Sequence, residues 1–411
     1  MSDLASETQV KPDLSRFIKS NVRDYALLLA LLAIMVFFQF TTHGTLFKPV
    51  NMTNLILQNS YIIIMALGML LIIVAGHIDL SVGSVAGFIG AVASLMMTGT
   101  MPFYAGALTG FKFDVVSTAV VCIALGGLIG AMQGYFIAYH KIPAFIVTLA
   151  GMLIFKGLSL AVLGGASVGP FPKTFQLLST GYVPDIFGGS WGGTPFNVLA
   201  LAIGAVVAAA IIFFNVKERR IQQEHGLAEE PDIIFFGRNL LIGGGFLAFS
   251  YLMASDKGLP NVLVVMFILI ALFVFMTTRT TIGRRIYAIG GNEKAAKLSG
   301  INTEKLTFLT FVIMGMLAAL GGLIFTARLN VATPKAGLGF ELEVIAACFI
   351  GGAATTGGVG KVIGAVIGGF IIGVMNNGMS IMGVGIDWQQ VIKGVVLLAA
   401  VYFDVYNKAK G

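Results

Sequence analysis

The chain is poor in charge. Of its 411 residues 11% are Asp, Glu, Lys or Arg, against 57% hydrophobic. Soluble domains carry roughly 25% charged residues, so an ordinary soluble domain is excluded and a polytopic membrane protein is expected. Cysteine is nearly absent too. Cys122 and Cys348 stand singly in apolar runs, which excludes a disulfide framework and a thiolate metal site. HExxH, CxxC, nucleophile–base and paired-carboxylate patterns are missing. An intramembrane enzyme is therefore set aside, and no metal or cofactor is expected in the chain. A nucleotide loop is suggested by Gly360-Lys361 but fails on its neighbours. Thr355 stands where the loop needs glycine, and Val362 where it needs Ser or Thr.

What the chain has is glycine, 53 residues of it, as expected where helices pack closely without a hydrophobic drive between them. It also has long apolar runs. At about 20 residues per crossing, about twelve segments emerge. They are Tyr25–Thr42, Leu55–Ala75, Val82–Thr98, Val115–Tyr139, Ala144–Leu163 and Asn197–Phe214, then Asn239–Met253, Leu259–Thr277, Thr307–Arg328, Glu341–Thr356, Lys361–Met379 and Trp388–Phe403. One Gly-rich segment is a candidate for re-entry. The fold class is all-α, a polytopic helical membrane protein. The organisation reads as a polar tail 1–24, a transmembrane domain 25–405 and a short tail 406–411.

The 26 basic residues outnumber the 19 acidic ones. In so apolar a chain this signals topology and contact with anionic lipid, and no nucleic acid is expected as a partner. Basic residues in the first tail, in KERR at Lys217–Arg220, in Thr278–Leu306 and at Lys408 and Lys410 place both termini and both charged loops in the cytoplasm. The first span shows no cleavage site and is expected to stay uncleaved. Asn215–Arg238 reads as a charged loop, and Gly164–Phe196 as a segment on the outer face.

The hydrophilic stretch Thr278–Leu306 has its own folding signals. Asn292 is a good N-cap, Glu293 puts negative charge in the first turn, and Gly300 suits a helix end. A helix of about two turns follows, hinged at Gly290-Gly291. It reads either as a docking element for another protein or as a solvated basic loop.

Candidate pathway residues are Asp79, Ser81, Asn376, Asn377 and Gln390. Asp79 serves either as the cap of the third span or as part of a gate. The two Asn and the Gln bond either to neighbouring helices or to sugar hydroxyls. Lys156, inside the fifth span, either snorkels or lines the path.

AGHIDLSVGS (Ala75–Ser84), PAFIVTLAGM (Pro143–Met152), IGRRIYAIGGNEKAAKLSGI (Ile282–Ile301), GGVGKVIGAVIGG (Gly357–Gly369), MNNGM (Met375–Met379) and WQQVIKGVVLLAAV (Trp388–Val401) together resemble one family. It is the permease subunits of bacterial ATP-binding-cassette importers for monosaccharides. The resemblance runs from about Leu55 to the C-terminus. It implies an inner-membrane homodimer with the sugar pathway at its interface. A periplasmic sugar-binding protein would deliver the substrate, and a cytoplasmic ATPase would carry ATP and magnesium. Gly283, Arg284, Asn292, Ala295, Ala296, Ser299 and Gly300 would then be coupling-interface positions. The stretch 215–260, an extra loop and span pair on a ten-span core, resembles xylose-type and multiple-monosaccharide members, and His77 stands where many members have Gly. The competing reading is an ion-coupled secondary sugar transporter. It rests on the span count and on a Gly-Arg-Arg loop, but no relay of deep carboxylates supports it. A passive channel lacks any recognisable selectivity filter.

Overall fold

In a computed structural model of the chain, residues 14–99, 112–191, 194–225 and 231–410 are described. The polar tail lies outside them as far as residue 13, as do residues 226–230 of the charged loop and residue 411. Fifteen helices are found among the described residues, with one two-residue antiparallel hairpin, β1 (Ser190–Trp191) and β2 (Thr194–Pro195).

Each of the twelve apolar segments folds as a helix. They are α1 (Leu14–Thr41), α2 (Pro49–Val74), α3 (Val82–Thr98), α4 (Val115–Ala138), α5 (Ala144–Leu163), α7 (Val198–Glu224), α8 (Asp232–Ala254), α9 (Asn261–Arg279), α12 (Thr303–Leu329), α13 (Phe340–Ile350), α14 (Val362–Ile381) and α15 (Ile386–Lys410). Eight of these are long and apolar enough to cross a membrane alone. The tenth, α13, has only 11 residues, or roughly 16 Å, about half a crossing. Three further helices lie between spans: α6 (Lys173–Thr180), α10 (Thr281–Gly291) and α11 (Glu293–Leu298).

The chain divides into two compact units. One holds residues up to Leu29 together with Pro184–Leu259, and is dominated by the α7–α8 pair. Here the charged loop is corrected. Helix α7 runs on to Glu224 and α8 starts at Asp232, because Lys, Glu and Arg are good helix formers that extend a span into water. Arg220 pairs with Glu224 one turn on, at 3.5 Å. The Arg219 guanidinium pairs with Asp232 and lies 4.1 Å from the centre of the Phe235 ring.

The other unit, Ala30–Val183 with Pro260–Gly411, carries most of the bundle. At its centre is α2, buried along almost its whole length. Helices α4 and α12 run antiparallel in close contact through Gly126, Gly130 and Gly134, spaced four apart on one face of α4. A Cβ on Gly130 would overlap the Phe311 carbonyl oxygen, which is backbone and has nowhere to go. Gly130→Val should therefore force α4 and α12 apart and cost about 1–3 kcal/mol or more. An unchanged melting temperature in detergent would contradict this packing.

The two ends of this unit differ. Helix α9 ends at Arg279 and α12 begins at Thr303 at one end, called here the basic end. At the far end α6 sits near residues 330–332, where the Phe171 N–H donates to Asn330 Oδ1 at 2.8 Å and Val168 pairs with Ala332. From Asn330 the chain turns back toward the middle of the unit before α13 begins.

Candidate functional site

Two places in the larger unit gather the polar groups singled out above. The first surrounds the start of α13. Tyr61, midway along α2, packs its ring on Phe340 with centroids 4.7 Å apart. Phe340 is the first residue of α13, so this half-helix starts deep in the bundle and runs toward the basic end. The start of α3 meets it there. A Cβ on Gly83 would clash with the Gly337 carbonyl oxygen and with Glu341 Oε2. Two helix N-termini thus converge at membrane depth, the arrangement in which broken helices line a pathway.

Asp79 and Ser81 precede α3 and both are buried. The expected cap is corrected by two residues. Ser81 is the N-cap, but its hydroxyl makes no bond to the backbone of the first turn. Asp79 Oδ1 instead accepts from the Ser81 backbone N–H at 2.8 Å and from the Ser81 hydroxyl at 2.7 Å. The Ser81 oxygen in turn accepts from Gln133 Nε2 of α4 at 2.9 Å. Gly151 of α5 leaves the space that Gln133 occupies. With α5 packed against it at Gly151, this chain of bonds ties the start of α3 to α4 around a buried carboxylate. Gln133→Leu leaves part of it unmatched and should cost about 1–3 kcal/mol. An unaltered melting temperature would deny the network a structural role.

Asn376 and Asn377 are adjacent and differ completely. Asn377 forms a reciprocal amide pair with Asn51 of α2, at 2.9 and 3.1 Å. It is an interhelical tie. Asn376 donates to Glu343 Oε1 in the first turn of α13, at 3.3 Å. The same carboxylate oxygen receives Lys393 Nζ of α15 at 2.7 Å. Gln390 is exposed on α15, near the exposed Trp388. Lys156 is exposed on α5.

The second place is the basic end. Asn292 caps α11, its Oδ1 accepting from the Ala295 N–H at 3.0 Å, and Gly300 ends the turn at φ 80°. Lys141 lies 3.4 Å from Glu293 and 3.7 Å from Glu304, and Lys297 2.5 Å from Glu304. The hydrogen bond to Glu304 raises the Lys297 ammonium above the usual lysine range, so the pair stays charged across neutral pH. Of the seven coupling candidates, Arg284, Asn292, Ala295, Ser299 and Gly300 are exposed. Gly283 and Ala296 are buried on the chain itself. Ala296 joins Ile289 and Leu306 in a small core, and Gly283 abuts Met276 and Thr277 of α9. These two seat the element and offer no surface to a partner.

The expected Gly290-Gly291 hinge is also corrected. Both glycines lie within the last turn of α10, whose first turn Thr280 caps through Gly283 N at 3.2 Å. A Cβ on Gly290 would overlap the Val74 carbonyl oxygen and sit 2.5 Å from Gly358 N. Gly358 N itself donates to Val74 O at 2.8 Å, and the Tyr287 hydroxyl donates to Gly360 O at 2.6 Å. The glycine is a point of close backbone approach, where α10, the end of α2 and the loop 351–361 are bolted together. That loop follows α13, so the basic-end element and the deep half-helix are joined through one short connection. Beside it, His77 packs near Phe311 and faces a cavity of about 340 Å³ bordered by Ile73, Phe145, Phe349 and Thr355.

Three features of the structure are not announced by the sequence motifs above. Helix α10 had a signal in Thr280 and in the spacing of Ile282, Ile286 and Ile289. Leu298 is 90% exposed at the end of α11. The Glu343–Lys393 pair spans 50 positions and had no local signal.

Residues 51–181 and 194–401 match the family described as branched-chain amino acid transport system / permease component. The chain is similar to the xylose transport system permease proteins of Haemophilus influenzae and Escherichia coli K12, each 38% identical over 95% of this chain and over 98% and 93% of the relative. It is 32% identical to the ribose import permease protein of Escherichia coli K12, over 94% of this chain and 95% of the relative. No solved structure matches it. A membrane bundle with a half-helix at depth, joined to a capped basic element outside it, is thus found in a chain that belongs to this family of transport-system permease components.

Proposed function

We propose that the chain is the permease subunit of an ATP-driven importer of a monosaccharide, with xylose and ribose the first candidates. Family membership and the xylose and ribose permease relatives support this, and they displace the ion-coupled reading. Two copies form the pathway between them in the bacterial inner membrane, with the basic end and both termini in the cytoplasm. ATP and magnesium are bound by a cytoplasmic ATPase. A periplasmic binding protein delivers the sugar at the far end.

The observation that carries the mechanism is the bolt at Gly290. The ATPase grips the exposed face of α10 and α11, through Arg284, Asn292, Ala295, Leu298, Ser299 and Gly300. When ATP closes the partner, the element moves, and the loop 351–361 moves with it. That shifts α13, whose deep end lies in the pathway. Coupling requires the partner to bind the two states of the permease with different affinity. Side chains that surround a rigid half-helix transmit a small displacement because packed interiors do not deform continuously.

The substrate is tested by competition. Labelled xylose uptake into proteoliposomes carrying the permease and its co-encoded partners should be reduced by unlabelled pentoses and not by amino acids. Inhibition by leucine in place of sugars would overturn the assignment.

A further inference from the structure

An ion pair at membrane depth is costly. Desolvating two charges exceeds or matches what their attraction returns, and apolar side chains of similar size would tie the same helices as well. Yet Glu343 and Lys393 meet at 2.7 Å within the bundle, on two different helices, with Asn376 on a third. The group is also incompletely used. Lys393 and Asn376 both address Glu343 Oε1, and Oε2 has no hydrogen-bond partner among the described residues. The Asn376 amide oxygen is buried and has none either. Two acceptors are thus held in place without donors, on a carboxylate and an amide already in contact. The Asn376 oxygen is a buried acceptor left open, which is uncommon and calls for a ligand or water.

The surroundings say where the donors come from. Glu343 keeps 18% of its side chain exposed and Lys393 26%. Leu342 and Leu338 beside them are 60% and 49% exposed. This is an outer face of the unit, and it becomes the pathway only if a second copy covers it. The inference therefore rests on the function proposed above.

We infer that Glu343, oriented by Lys393 and flanked by Asn376, is a sugar-contacting residue that sets which monosaccharide passes. Lys393, 2.7 Å away, holds the carboxylate in place. The free Oε2 and the Asn376 Oδ1 accept hydrogen bonds from neighbouring hydroxyls of a polyhydroxylated ring. Because Glu343 lies in the first turn of α13, movement of the half-helix changes its reach. The sugar is held in one state and released in the other. A site that hydrogen-bonds hydroxyls discriminates strongly against an analogue lacking them, since its own buried groups are then left unpaired.

The test uses the complete importer in proteoliposomes, with labelled xylose and ribose as probes and uptake normalised to inserted permease. Glu343→Gln should lower uptake about tenfold, as expected for losing a hydrogen bond to a charged acceptor, and should change the xylose-to-ribose ratio. The double variant Glu343→Gln/Lys393→Met removes both charges and should not recover. Wild-type uptake and ratio in Glu343→Gln would overturn the inference, and so would recovery in the double variant, because a purely structural pair is dispensable once both charges go. Should Glu343→Gln fail to insert, Asn376→Ala leaves the ion pair intact. A changed sugar ratio there supports the inference, and an unchanged one overturns it. Absence of ATP-dependent sugar uptake by the wild-type importer is a different failure and strikes the proposed function itself.

Discussion

Gly290→Val should abolish sugar uptake while leaving the permease inserted and the partner ATPase able to hydrolyse ATP. The reason is steric. A Cβ at position 290 would run into the Val74 carbonyl and the Gly358 backbone nitrogen. Both are main-chain atoms, and they are bonded to each other, so neither can swing aside as a flexible side chain would. Helix α10 has to lift off α2, and the Tyr287–Gly360 hydrogen bond goes with it. The ATPase still finds Leu298 and its neighbours but pulls on an element no longer bolted to α13. Uptake in the variant is expected to fall at least about tenfold, the loss of a coupling of more than roughly 1.4 kcal/mol. The core of the bundle, which α2, α4 and α12 hold together, is remote from this bolt and should melt almost as in the wild type. Uptake at the wild-type rate would show that force reaches the pathway by another route.

Leu298→Asp is expected to act one step earlier, on docking. Leu298 is the most exposed of the large hydrophobic side chains on this end of the unit, at 90%. Beside it are Lys297, held by Glu304, and the Ser299 hydroxyl, bonded back to the Ala295 carbonyl. The backbone around it is therefore fixed before any partner arrives, which lowers the cost of docking. Burying a leucine in a partner's groove is worth about 1.5–3 kcal/mol, and an aspartate there adds a charge to be desolvated. Affinity for the ATPase should drop about ten- to a hundredfold, measured by pull-down or titration in detergent. Unchanged affinity would move the docking surface elsewhere. Ala296 is a poorer probe, since it packs on Ile289 and Leu306. A bulky replacement there would disturb the seat of α11 and confuse the two effects.

Local signals are legible in the sequence, and pairings across the fold are not. Asn292, Glu293 and Gly300 announce α11 because capping is decided within one turn. The apolar runs announce the spans because each helix must satisfy its own backbone. Gly290-Gly291, by contrast, looks like a hinge from composition alone. Only the approach of Val74, more than two hundred positions away, shows that it is a contact. Asn376 and Asn377 look equivalent in MNNGM, yet one helical step of about 100° sends one to Asn51 and the other to Glu343. Glu343 itself reads in sequence as part of a span. Its significance lies in Lys393 and in the depth at which α13 begins, and neither leaves a mark in the neighbouring residues. Gly283 and Ala296 show the same limit in reverse. The resemblance named them as interface positions, but only packing tells a residue that faces a partner from one that seats the element.

The most direct measurement is the initial rate of labelled xylose uptake into proteoliposomes containing the permease, its co-encoded ATPase and the binding protein. It is compared with the permease alone and with an ATPase that cannot hydrolyse ATP. Accumulation against a gradient only in the complete, hydrolysing system is the predicted result. Accumulation by the permease alone, with no ATPase present, would contradict the account.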